Sequence, residues 1–142
     1  MILESNDFKN NGNIPERFSC DGENIPPHLR WSGFPSETKS FALTIRDPDA
    51  PSGDFKHWLV FDIPKDVNEV NHALPEGARE IVNDFGEAGY GGPCPPSGTH
   101  RYVFTIYALS VENLAAGRDD FFGKIEKHKL DSAKLIGMYG RA

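Results

Sequence analysis

The chain has 142 residues, a formal net charge of −6 and a hydrophobic fraction of 38%, which suits one globular domain, residues 1–142, with a core of its own. Its 15 Lys and Arg against 21 Asp and Glu exclude the basic footprint of a nucleic-acid binder. Uninterrupted apolar runs such as Trp58-Leu59-Val60-Phe61 fall far short of the roughly 20 residues that span a bilayer, so no integral membrane association is expected.

The elements follow in chain order. Met1–Asp7 has neither a basic region nor an apolar stretch, so it does not read as a signal peptide and a cytoplasmic protein is expected. Ile2–Ser5, Arg17–Cys20 and Leu29–Trp31 are weak strand candidates. Phe41–Arg46 and His57–Ile63 are strong ones, Glu80–Asn83 is weak, and Arg101–Leu109 is the longest. The three strong runs are apolar on both faces, which predicts central strands. Prolines 15, 26, 27, 35, 64 and 75 punctuate the spaces between elements. Near the C-terminus, Asp119 and Asp120 precede Phe121, Phe122 and Ile125, and Lys127, His128 and Lys129 follow, which predicts a helix. A second short helix is expected over Asp131–Met138, with Gly140 after it. Strands first and helices last predict a mainly β domain with peripheral helices. No repeat, low-complexity tract or linker interrupts the chain.

Two stretches carry the functional signal. Asp47-Pro48-Asp49-Ala50-Pro51-Ser52-Gly53 leads to His57-Trp58, and Gly91-Gly92-Pro93-Cys94-Pro95-Pro96-Ser97-Gly98-Thr99 leads to His100-Arg101-Tyr102. Each is a stiff loop that delivers a histidine to the first residues of a strand. Alternation places His100 and Tyr102 on one face, and it places His57 with Leu59 and Phe61. If the strand ending at Arg46 runs antiparallel to the other two, Asp47, His57 and His100 share one rim. Imidazole and phenol groups there would donate to a small anion, a carboxylate would orient an imidazole, and the Gly91-Gly92 amides would approach the ligand closely. Prolines 48, 51, 93, 95 and 96 hold the loops, which lowers the ordering cost of binding. Asp47 before a proline is also an ordinary turn opener, and Tyr102 alone would read as core. Trp58 suits either the pocket mouth or the core.

The strings DPDAPSG…HW, from Asp47 to Trp58, and GGPCPPSGTHRYVFTIYAL, from Gly91 to Leu109, resemble both signature regions of the phosphatidylethanolamine-binding protein (Raf kinase inhibitor protein) family. Weaker similarity covers most of the remaining chain. The resemblance implies a β-sandwich with a large central antiparallel sheet, a smaller sheet and a few peripheral helices. It also implies a cavity for phosphate-like groups, with Asp47 as its carboxylate, His57 and His100 as its histidines, Tyr102 as its phenol, and Pro51, Gly92 and Pro95 as wall positions. The chain is short, like the bacterial and archaeal members. Its loop before His100 is shorter than in eukaryotic members, and Cys94 stands where they tend to carry glycine.

The resulting expectation is a noncatalytic anion-binding module for a phosphorylated or carboxylated ligand. Regulation of a partner enzyme such as a kinase or protease, through the protein's surface, is the second reading, and a homodimer is a separate expectation for the chain's own association. A hydrolase using His100 with Cys94, Ser97 or Thr99 is the third, and a metal held by His57, His100 and Asp47 is the fourth. The leading reading needs no cofactor and no metal. Cys20 and Cys94 are too few for a disulfide framework, and nothing in the sequence forces them to pair.

Overall fold

The computed structural model describes residues 1–141. A six-stranded sheet is built from β2 (Gly12–Asn13), β4 (Ser40–Asp47), β5 (Phe55–Pro64), β7 (Arg79–Ile81), β8 (Gly98–Leu109) and β9 (Lys129–Arg141), in the order β2-β9-β8-β4-β5-β7. A three-stranded sheet, β1-β3-β6, is built from β1 (Ile2–Glu4), β3 (Leu29–Ser32) and β6 (Glu69–Val70). One helix, α1 (Phe121–His128), precedes β9.

The three strong sequence runs are β4, β5 and β8, and they lie together in the middle of the large sheet. Their two apolar faces have two coverings. Phe41, Leu43, Ile45, Trp58, Val60, Tyr102, Phe104 and Ile106 pack against Leu3, Leu29, Trp31 and Val70 of the small sheet. On the opposite face, Ala42, Leu59, Phe61, Ile81 and Leu109 pack against Phe121 and Ile125 of α1. Strands buried on both sides carry no polar alternation, which is the pattern the sequence shows. No helix among the described residues is long and apolar enough to cross a membrane.

Two expected elements differ. The helix expected over Asp131–Met138 is part of β9, which pairs antiparallel with the whole length of β8. The period there is two, because Leu135 and Gly137 are buried while their neighbours are not. Gly137 also sits against Ile14 and Phe8, where a Cβ would come within 2.5 Å of the Ile14 side chain. The strand expected at Arg17–Cys20 is instead a single 3₁₀ turn, Glu16–Phe18, started by Pro15 and anchored by the buried Phe18.

Candidate functional site

β4 runs antiparallel to both β5 and β8. The end of β4 and the starts of β5 and β8 therefore meet at one rim. A cavity of about 240 Å³ opens there, and its lining includes Asp47, His57, His100 and Tyr102.

Asp47 is buried and uses its oxygens separately. Oδ1 accepts the Asp49 amide at 2.8 Å and closes the turn before Pro51, while Oδ2 accepts His100 Nδ1–H at 2.6 Å. The turn-opening and pocket readings of this acid both hold, on different atoms. Asp49 then receives the Arg101 backbone amide and its guanidinium, at 3.0, 2.9 and 2.7 Å. Those bonds tie the loop after β4 to the start of β8 and hold the Asp49 carboxyl down to about 2.

His57 reaches the cavity through a β-bulge. Ile45 pairs with Trp58 and Arg46 with Lys56, so His57 is the extra residue between them. The expectation that His57 shares a face with Leu59 and Phe61 is corrected by that insertion. Leu59 and Phe61 pack toward α1, whereas the His57 ring sits edge-on to Tyr102 at 5.2 Å. Its Nδ1–H donates to the Gly91 carbonyl at 2.7 Å, and the Gly91 amide donates back to the His57 carbonyl at 3.0 Å. Burial lowers its pKa below the ordinary histidine value, against the opposing pull of the Gly91 carbonyl and Asp47.

Tyr102 lies on the His100 face, its ring stacked 6.4 Å from the imidazole. Its hydroxyl is buried and has no hydrogen-bond partner among the described residues. Burial first, and the Asp47 charge second, push its pKa well up, so it stays a donor. Trp58 is core: it is fully buried, and its Nε1–H donates to Glu80 at 2.6 Å.

Of the wall residues, Pro51 and Pro95 line the cavity and Gly92 does not. The Gly91 and Gly92 amides are committed within the chain, Gly92 to Asn24 Oδ1 at 2.8 Å. A Cβ on Gly92 would lie 2.2 Å from the Phe18 carbonyl oxygen, so the glycine is required by close packing of the chain on itself. Cys94 lines the cavity as half of a disulfide with Cys20. The sequence left that pairing open; in the disulfide the Cys94 sulfur is not a thiol nucleophile.

The sequence reading missed an aromatic wall. Phe55 lies 4.9 Å from the His57 ring and Phe85 lies 5.3 Å from it, and the two phenyl rings are 4.8 Å apart edge-to-face. Phe85 is 45% exposed, and a phenylalanine in an Asp-Phe-Gly turn was the available signal. A larger groove of about 610 Å³ lies at the far end of β4 and β5, but its charges have both signs, Lys39, Lys65 and Arg79 against Asp62, Asp66 and Glu112. None of its lining residues is a buried polar group without a partner. Among the described residues no group of three His, Cys, Asp or Glu side chains is arranged to hold a metal ion.

A two-layer, mainly antiparallel β-sandwich with a histidine-lined cavity at the rim of its larger sheet defines the class. The profile of the phosphatidylethanolamine-binding protein family matches residues 4–140. The chain belongs to that family. It is 47% identical to a UPF0098 protein of Methanothermobacter thermautotrophicus, with 99% of each chain covered. It is 39% identical to the UPF0098 protein YbhB of Escherichia coli, covering 98% of this chain and 99% of that one. Among solved structures, the phosphatidylethanolamine-binding protein homologue CT736 of Chlamydia trachomatis superposes with a TM-score of 0.92 at 33% identity, over 99% of this chain and 97% of that one. YbcL of Escherichia coli also superposes at 0.92, with 34% identity over 99% and 98%.

Proposed function

We propose that this protein is a noncatalytic module that binds a small oxyanion group, phosphoryl or carboxyl, in the cavity rimmed by Asp47, His57, His100 and Tyr102. One observation carries the reading: the Tyr102 hydroxyl is fully buried at a cavity wall, with no hydrogen-bond partner among the described residues. A buried unsatisfied hydroxyl costs about 1–3 kcal/mol, and a ligand oxygen would relieve it. The two histidines add to this. Each spends Nδ1 on the protein, leaving Nε2 with no partner among the described residues.

Binding is favoured over turnover. Cys94 is held in the disulfide, Ser97 and Thr99 do not line the cavity, and no hydrogen bond joins a serine or threonine hydroxyl to either histidine among the described residues. The described surface carries no feature that selects a kinase, a protease or a second copy of the chain, so the proposal is confined to the pocket. The Cys20–Cys94 pair favours a compartment in which disulfides persist over a strongly reducing cytoplasm.

The test is calorimetric titration with inorganic phosphate at pH 6, on the wild type and on His100→Ala. Saturable binding that is lost in the variant supports the reading. Absence of binding at millimolar phosphate, or equal binding by the variant, overturns it.

A further inference from the structure

The hydrogen bonds around the two rings fix where their protons sit. The Gly91 carbonyl can only accept, so His57 Nδ1 carries the hydrogen. The Asp47 carboxylate accepts from His100 Nδ1 in the same way. In a neutral imidazole the second nitrogen is then a bare lone pair. An oxyanion oxygen set against the Nε2 of such a neutral ring meets lone pair against lone pair.

The cavity's own charge compounds the difficulty. Among the described residues no lysine or arginine lines it, and its single carboxylate is Asp47. The cations of the surrounding loops are each paired, Arg101 with Asp49, Arg118 with Asp84 and Arg141 with Asp21. Around His57 stand Asp47 from β4, His100 and Tyr102 from β8, Asp84 and Phe85 from the loop after β7, and the Gly91 carbonyl from the loop before β8. Of these only the Tyr102 hydroxyl offers a hydrogen to a bound oxygen.

Resting on the anion-binding reading above, we infer that the cavity takes an oxyanion only together with a proton, so that it selects acids still holding an ionisable hydrogen, such as hydrogen phosphate or a phosphomonoester monoanion, over anions that hold none, such as sulfate. The proton lies between Nε2 and the ligand oxygen. It sits on the ring, whose N–H then donates to the anion, or on the ligand, whose O–H then donates to the ring. Either way, a fully ionised anion enters with one hydrogen taken from water or buffer, and the complex has one negative charge fewer than its separated parts. Burial of His57 acts in the same direction, since it keeps that ring neutral before the ligand arrives.

Hydrogen phosphate and sulfate are tetrahedral dianions at pH 8, and only the first carries a hydrogen. The wild-type protein is titrated calorimetrically with inorganic phosphate, sulfate and methyl phosphate at pH 6, 7 and 8, each in two buffers of different ionisation enthalpy. At pH 8 phosphate should bind at least about tenfold more tightly than sulfate, the worth of one good charge-assisted hydrogen bond. Methyl phosphate, whose second ionisation lies near 6, should take up close to one proton at pH 8, with affinity falling about tenfold per pH unit above neutrality. Equal affinities for phosphate and sulfate at pH 8, or methyl phosphate binding without proton uptake, overturns this inference and leaves the anion site standing. Failure of all three anions to bind removes the anion site and this inference with it.

Discussion

His100 Nδ1 lies 2.6 Å from Asp47 Oδ2, a bond across 53 residues of sequence between the start of β8 and the end of β4. Both side chains are buried. The bond fixes the plane and tautomer of the ring, and the other oxygen of the same acid shapes the loop that walls the cavity. Asp47→Asn keeps the shape and removes the charge. The expected result is a loss of about 1.5–3 kcal/mol in urea unfolding, the worth of a hydrogen bond to a charged group. Unchanged stability would show that the pair is incidental.

Tyr102→Phe separates structure from binding by sign. The hydroxyl has no hydrogen-bond partner among the described residues, so its removal should leave stability unchanged or raise it by up to about 1 kcal/mol. Phosphate binding should weaken by about tenfold or more, because the donor is gone. Chemical denaturation and calorimetry on one preparation read both quantities. A destabilised variant with wild-type affinity contradicts the assignment, since it would mean that the hydroxyl supports the fold.

The legible part of the fold was its centre. β4, β5 and β8 were readable because burial on both faces writes a continuous apolar run into the sequence. β9 was not, because Gly140 after Asp131–Met138 reads as the end of a helix, and its inward alternation rests on Leu135 and a glycine, which leaves almost no hydrophobic signal. At the site, Asp47, His100 and Tyr102 follow from regular strands and were placed correctly relative to one another. His57 was placed on the wrong face, since a one-residue bulge inverts alternation and nothing in Lys56-His57-Trp58 announces it. Gly92 was taken for a ligand contact. A glycine needed for close approach looks the same whether the neighbour is a ligand or the carbonyl of Phe18.

His57 sets a pH dependence with a definite sign. Its folded pKa is depressed below the ordinary value of 6.5. The native state therefore binds fewer protons than the unfolded chain between the two values, and stability is full above pH 6.5 and falls as pH drops through the folded pKa. The lowered carboxylates Asp7, Asp21, Asp49, Asp84, Asp120 and Asp131 act only below their ordinary 3.8, in a separate window. Thermal unfolding of the ligand-free protein should show a midpoint that falls as pH drops from 6.5 to about 5. A midpoint flat across that window refutes the assignment of a neutral buried ring.

Cys20 and Cys94 are 74 residues apart, and their bond joins the turn after Phe18 to the cavity wall. Closing a loop of that length restricts the unfolded chain by about 4 kcal/mol in the chain-entropy account. Reduction should therefore lower the urea midpoint substantially. The local effect is separable. Pro93 remains tied to the chain by its carbonyl, which accepts the Cys20 amide at 3.1 Å, and Gly92 remains tied by Asn24. The wall should consequently stay folded after reduction and loosen chiefly at Cys94 and Pro95. Phosphate affinity should drop several-fold while the native fold persists in dilute buffer. Urea titration and calorimetry with and without a thiol reductant check both parts. Coincident denaturation curves would mean that the disulfide adds nothing to a wall already held by its backbone bonds.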